Sequence, residues 1–117
     1  MEGLFAGGKT FTVFPLKIFY MLPGEELDYH IKTGVGASGR NFKKAVDRNR
    51  IKRLLREAYR TEKLPLHLFL KEHNLQLAIF ILYVDKSLPD YAVVKEKMSL
   101  LLQRLIKELH AKAVKNT

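Results

Sequence analysis

The chain has 117 residues, 47% hydrophobic and 28% charged, with no cysteine and a formal charge of +9. That length suits a single domain over 1–117, and the apolar fraction is enough for a core, which excludes a wholly disordered chain. Disulfides and thiolate metal sites are excluded too. The longest uninterrupted apolar run, 77–84, falls far short of the roughly 20 residues of a membrane-spanning helix. Residues 1–8 carry no signal pattern, so a cytoplasmic location is expected.

Residues 9–22 alternate and are rich in β-branched and aromatic side chains, which predicts one or two strands around Pro15, a residue suited to an edge or a break. Pro23-Gly24-Glu25-Glu26 reads as a turn, and residues 28–37 alternate again, with Tyr29, Ile31, Thr33, Val35 and Ala37 on one face and His30, Lys32, Gly34 and Gly36 on the other. A loop over 38–42 leads into a helical pattern over 43–61, and a short helix starts near Pro65. Residues 75–84 form an apolar run of strand length, expected to be buried on both faces. The chain closes with an amphipathic helix over 90–113, striped by Val94, Met98, Leu101, Leu105 and Leu109. This order predicts an α/β (α+β) two-layer sandwich, a mixed sheet covered by helices that leaves its other face open.

The charge is clustered. Residues 40–60 hold nine basic side chains, Arg40, Lys43, Lys44, Arg48, Arg50, Lys52, Arg53, Arg56 and Arg60, against Asp47 and Glu57. At about 100° per residue, Ile51, Leu54, Leu55, Ala58 and Tyr59 share one arc of the helix. Asn49, Arg53, Arg56 and Arg60 gather opposite, with Lys52 and Arg48 at the flank, while Asp47 serves as N-cap or sits in the first turn. A solvated face is the ordinary reading of a charged helix. Here six basic residues lie within thirteen, 48–60, offset only by Glu57, and they repel one another unless a polyanion neutralises them. Five of the six are arginine, whose planar fork binds phosphate bidentately, and Asn49 adds a donor and an acceptor suited to a sugar hydroxyl or a base edge.

The run Arg48-Asn49-Arg50-Ile51-Lys52-Arg53-Leu54, followed by Arg56-Glu57 and Tyr59-Arg60, closely resembles the RNR motif of the bacterial ribonuclease P protein family. Thr33-Gly34-Val35-Gly36 resembles its third strand, and Arg40, Lys43 and Lys44 its basic connection. The resemblance implies a four-stranded mixed sheet with a left-handed βαβ crossover, the fold of the second domain of ribosomal protein S5, where general handedness rules predict a right-handed connection. It also implies an N-terminal helix, of which Leu4, Phe5 and the Gly7-Gly8 turn are a truncated remnant, and a pair of basic residues where this chain has Gly39-Arg40.

In residues 16–20, Lys17 and Phe19 share one face and Leu16, Ile18 and Tyr20 the other, and the lysine-bearing face is expected to be open. Phe19, with Phe5, then offers stacking surface to an unpaired strand, flanked by Lys17 and Lys32, and Gly34 and Gly36 allow a backbone to approach. Taken singly, either aromatic is more readily a core residue. In the family the corresponding cleft holds the 5′ leader of precursor tRNA.

No nucleophile with a base, carboxylate pair or metal-ligand cluster is evident, and His30, His67, His73 and His110 lack partners at ligand spacing. Gly34-x-Gly36-x-x-Gly39 formally matches a dinucleotide fingerprint but lacks the later acidic residue. The expected role is therefore a non-catalytic protein subunit of ribonuclease P, supporting 5′ maturation of tRNA by a magnesium-dependent catalytic RNA. Its expected partners are that RNA and precursor tRNA, with no membrane or protein partner. One alternative is a non-enzymatic RNA-binding module such as a ribosome-associated protein. Another, a protein of the membrane surface, requires the last helix to keep its apolar stripe free.

Overall fold

In the computed structural model, which describes residues 8–21 and 31–115, the first alternating segment folds as two antiparallel strands. These are β1 (Lys9–Val13) and β2 (Leu16–Met21), reversed by a two-residue turn at Phe14 and Pro15. Pro15 has no N–H to give a ladder, so the turn is where the strand pair tolerates it. The second alternating segment is β3 (Ile31–Ala37), and the apolar run is β4 (Leu77–Tyr83). The sheet order is β1-β2-β4-β3, with β3 and β4 parallel and the other pairs antiparallel. A parallel pair needs a long crossover. Here it consists of α1 (Ala45–Glu62) and α2 (Leu64–Glu72), and α3 (Tyr91–Lys115) follows β4. Phe5, the turn expected at 23–26 and residues 28–30 of the third expected strand lie outside the described residues.

The helices cover one face of the sheet. Leu16, Ile18 and Tyr20 of β2 and Leu77, Ile79, Ile81 and Tyr83 of β4 meet Ile51, Leu55, Ala58 and Tyr59 of α1 in the core. Val94, Met98, Leu101, Leu105 and Leu109 are all fully buried, so this stripe of α3 is committed to the core and is not free to lie on a membrane surface. Among the described residues no helix is long and apolar enough to cross a membrane.

Polar contacts lock the layers. Tyr20 donates to Oε2 of Glu108 at 2.6 Å, and the Arg104 guanidinium lies 4.4 Å from the Phe11 ring centroid, which fixes α3 to the β1–β2 hairpin. Burial and the adjacent Glu108 push the Tyr20 hydroxyl pKa up, so it stays a donor. On the other side, Thr33 Oγ1 donates to Tyr59 Oη at 3.2 Å, and Tyr59 Oη lies 2.9 Å from Nε2 of His67, which connects β3, α1 and α2.

Two expectations change. β4 is not buried on both faces: its odd-numbered residues are buried, while Ala78, Phe80 and Leu82 are half-buried on the open face. Among the described residues helices cover only one side of this sheet, so even a continuous apolar strand is asymmetric. Leu54 is half-buried, because it lies at the edge of the apolar arc rather than at its centre. Of the two positions expected for Asp47, the structure takes the first turn of α1, and Lys44 occupies the N-cap without a side-chain cap bond.

Candidate nucleic-acid interface

Helix α1 packs one side on the core, and the opposite side carries the clustered charge. Asn49, Arg50, Arg53, Arg56 and Arg60 are exposed, and Lys52 is half-buried. Asn49, Lys52, Arg53, Arg56, Glu57 and Arg60 line one shallow groove along the helix. Arg53 and Arg56 make no hydrogen bond or ion pair with any described residue, so both forks are free for phosphate. Glu57 is the one carboxylate in the groove. Arg60 pairs with it, donating from Nε to Oε2 at 3.2 Å, and that hydrogen bond holds the Glu57 carboxyl below its ordinary pKa. The pairing offsets the charge of Arg60, which leaves Arg53 and Arg56 as the centre of the ridge.

Arg48 serves the fold first. Its Nη1 donates to the carbonyls of Phe42 and Lys43 at 2.7 and 2.8 Å. These bonds tie the connecting segment to the start of α1, and Arg48 is half-buried. Its remaining donors lie at the flank of the ridge. Arg40, Lys43 and Lys44 are exposed on the segment that Arg48 anchors. The ten expected RNA-binding residues thus lie on one continuous stretch, with nine of them on or leading to the outward side of α1 and Arg48 bracing it.

The second surface is the open face of the sheet, whose register sets its side chains in rows. Thr12, Lys17, Leu82 and Gly36 form one row, and Thr10, Phe19, Phe80 and Gly34 the next. Met21, Ala78 and Lys32 form the third. Lys17, Phe19 and Lys32 therefore share the open face as expected, with Phe19 half-buried, Lys32 exposed and the Lys17 ammonium 5.2 Å from the Phe19 centroid. A hollow of about 200 Å³ lies beside them, lined by Met21, Lys32, Thr33, Gly34, Ala78, Ile79 and Phe80.

Gly34 and Gly36 have a different purpose from the backbone approach expected of them. A Cβ on Gly34 would stand 2.9 Å from Cδ2 of Phe80, and one on Gly36 only 2.7 Å from its Cζ. The glycines seat the Phe80 ring across β3. That ring occupies the space a dinucleotide would need over the two glycines, which removes the Gly-x-Gly-x-x-Gly reading. Phe80 is the residue that sequence reasoning missed. A large aromatic on β4 and two glycines at alternate positions of β3 were the available signal, but it emerges only once the strands are in register.

Among the described residues no three histidine or carboxylate side chains come together to hold a metal ion. The ridge is built of guanidinium donors, and a hard divalent cation needs oxygen ligands instead. What the two surfaces provide is a polycation on a rigid helix and an aromatic floor flanked by lysines, the parts used for phosphate backbones and unpaired bases.

Comparison with known proteins bears on the family and the fold. The family model for Ribonuclease P matches residues 2–106. The ribonuclease P protein component of Porphyromonas gingivalis is 36% identical over 113 residues, 97% of this chain and 82% of that one. Its counterpart from Chlorobium phaeobacteroides is 32% identical, covering 90% and 79%. Among solved structures, the RNase P protein of Staphylococcus aureus superposes with a TM-score of 0.66 at 18% identity, covering 89% of this chain and 86% of that chain. That of Thermotoga maritima gives 0.63 at 22% identity, covering 86% of each. At such identities the superpositions establish the fold, and the family match over nearly the whole chain sets aside the ribosome-associated reading of the ridge. The chain belongs to the ribonuclease P protein family.

Proposed function

We propose that this chain is the RNA-binding subunit of a ribonuclease P ribonucleoprotein, in which α1 docks on the catalytic RNA and the open sheet face receives the 5′ leader of precursor tRNA. The observation that carries the reading is the ridge: Arg53 and Arg56 stand exposed and unpaired on a helix whose other side is locked into the core. A rigid row of forks suits a folded, highly charged RNA, and the Phe19 and Phe80 floor suits an unpaired strand that can stack. Lys17 and Lys32 flank that floor to meet the backbone. The metal-dependent cleavage step belongs to the RNA partner in this reading. Glu57, the only carboxylate in the ridge groove, is already paired with Arg60. The protein's contribution is to hold RNA in place, and cytoplasmic tRNA maturation is where that contribution is used.

The test is the affinity of the reconstituted ribonucleoprotein for precursor tRNAs with leaders of graded length. Affinity should rise with leader length only when the protein is present. Phe19→Ala should remove up to about 1 to 3 kcal/mol of that gain while leaving mature tRNA binding unchanged. If Phe19→Ala weakens leaderless and long-leader RNA equally, the sheet face is not the leader site.

A further inference from the structure

Next to the basic segment that leads into α1, one turn of the molecule exposes an aromatic ring. Phe14, at the tip of the β1–β2 turn, is 61% exposed. Among the described residues it is the only aromatic in the group of exposed large apolar side chains, the others being valines and leucines. A phenyl ring held in water at the end of a two-residue turn contributes little to the core. The neighbouring Pro15 and Leu16 are buried, so the tip is anchored while the ring is not.

Hydrogen bonds place this tip beside the basic segments. The Pro15 carbonyl accepts the Val84 N–H at 2.9 Å, joining the turn to the chain leaving β4. Asn41 Nδ2 donates to the carbonyls of Val84 and Asp85, each at 3.4 Å, joining that chain to the segment before α1. Arg40, Lys43, Lys44 and Lys86, on the segments so joined, are all exposed. Asp85 is the acidic residue among them, and its carboxylate accepts from the Lys86 N–H at 2.6 Å and the Ser87 hydroxyl at 3.3 Å. The exposed ring thus sits on a turn joined by hydrogen bonds to two segments that carry exposed cations, and one of them, through Arg40, Lys43 and Lys44, leads into the ridge of α1.

We propose that Phe14 is a stacking contact for an unpaired nucleotide of the RNA that docks on α1, with Arg40, Lys43 and Lys86 meeting the phosphates around it. The inference rests on the reading of α1 as the docking helix for the catalytic RNA. Exposed positive charge on the two segments joined to the turn favours a polyanion over an apolar protein surface, and a base is the part of that polyanion with an apolar face. The short turn and its bond to Val84 fix the backbone at the ring, so little conformational freedom is lost on contact.

The chain contains no tryptophan, so Phe14→Trp installs a sole indole at the tip. Its emission is followed while the catalytic RNA is titrated in, and a gel shift measures binding independently. The expected result is quenching with the same midpoint as the gel shift. Phe14→Ala should bind about 5- to 140-fold more weakly, which is one stacked base of 1 to 3 kcal/mol at 1.4 kcal/mol per decade, with an unchanged melting temperature. A saturating gel shift with unchanged emission, and wild-type binding by Phe14→Ala, overturns the proposal. Quenching that appears only on adding precursor tRNA overturns it as well, since the contact then belongs to the substrate. Loss of the gel shift itself in wild-type protein overturns the docking reading beneath it, a failure the separate assay makes recognisable.

Discussion

Replacing both Arg53 and Arg56 with alanine tests the ridge where the structure is most definite. Both side chains are exposed and engaged with no described residue, so their removal leaves the core and its hydrogen bonds untouched. If each neutralises one phosphate, the double variant should reduce the magnitude of the slope of log affinity against log salt by about 1.4 to 1.8, at roughly 0.7 to 0.9 per contact. Across a fourfold change in salt, from about 50 to 200 mM, the affinity deficit of the variant should shrink by about 7- to 12-fold. The assay is filter binding of the protein to the catalytic RNA over that range, with thermal unfolding as the control for folding. An unchanged slope in a folded variant would refute the assignment of α1 as the phosphate-binding element. Glu57→Gln supplies the opposite sign: it releases Arg60 and removes the groove's only acid, so binding should tighten and the slope steepen.

Other consequences follow from the same contacts. Leu55→Ala, at a fully buried position, should cost about 2 to 5 kcal/mol in urea unfolding, and the half-buried Leu54→Ala less; the reverse order would mean that α1 is rotated. Gly36→Ala forces the Phe80 ring from its seat and should weaken binding of leader-bearing substrate, whereas Gly39→Ala, with nothing within 4 Å of its added methyl, should not; equal affinities in the graded-leader assay would contradict the aromatic floor. His67 is held below its ordinary pKa by burial first and by Lys63 second, beside the Tyr59 hydroxyl. The neutral imidazole is thus favoured in the fold. Its contribution to stability should be complete above about pH 6.5 and be lost as pH falls through the lower folded value, and His67→Gln should flatten that part of the stability profile. An identical profile in the variant would show that the imidazole does not carry the dependence.

Patterns that depend on one element alone were legible in the sequence. The stripe from Val94 to Leu109 and the division of α1 into apolar arc and basic ridge follow from a 3.6-residue period, and each was recovered residue by residue except at the edge of the arc, Leu54. The open face at Lys17 and Phe19 followed from alternation. What escaped depends on pairing between elements. Phe80 could be placed on Gly34 and Gly36 only through the β3–β4 register, since no local pattern distinguishes an apolar strand covered on one side from one covered on both. Arg48 looked like its neighbours on the motif, yet two backbone carbonyls in the preceding segment claim part of its fork. Charge count does not reveal such a commitment, because it depends on how the loop returns to the helix. The Thr33, Tyr59 and His67 chain likewise joins residues from three elements that sequence spacing does not relate.

The central claim, that the chain supplies RNA-positioning surfaces to a catalytic RNA, is tested most directly by leader cleavage as a function of magnesium concentration, with and without the protein. Wild-type protein should lower the magnesium needed for half-maximal cleavage, because its cations take over part of the charge neutralisation between catalytic RNA and substrate. The Arg53→Ala/Arg56→Ala variant should restore much of the original requirement. A magnesium requirement that stays the same whether or not folded wild-type protein is bound to the RNA would contradict the account.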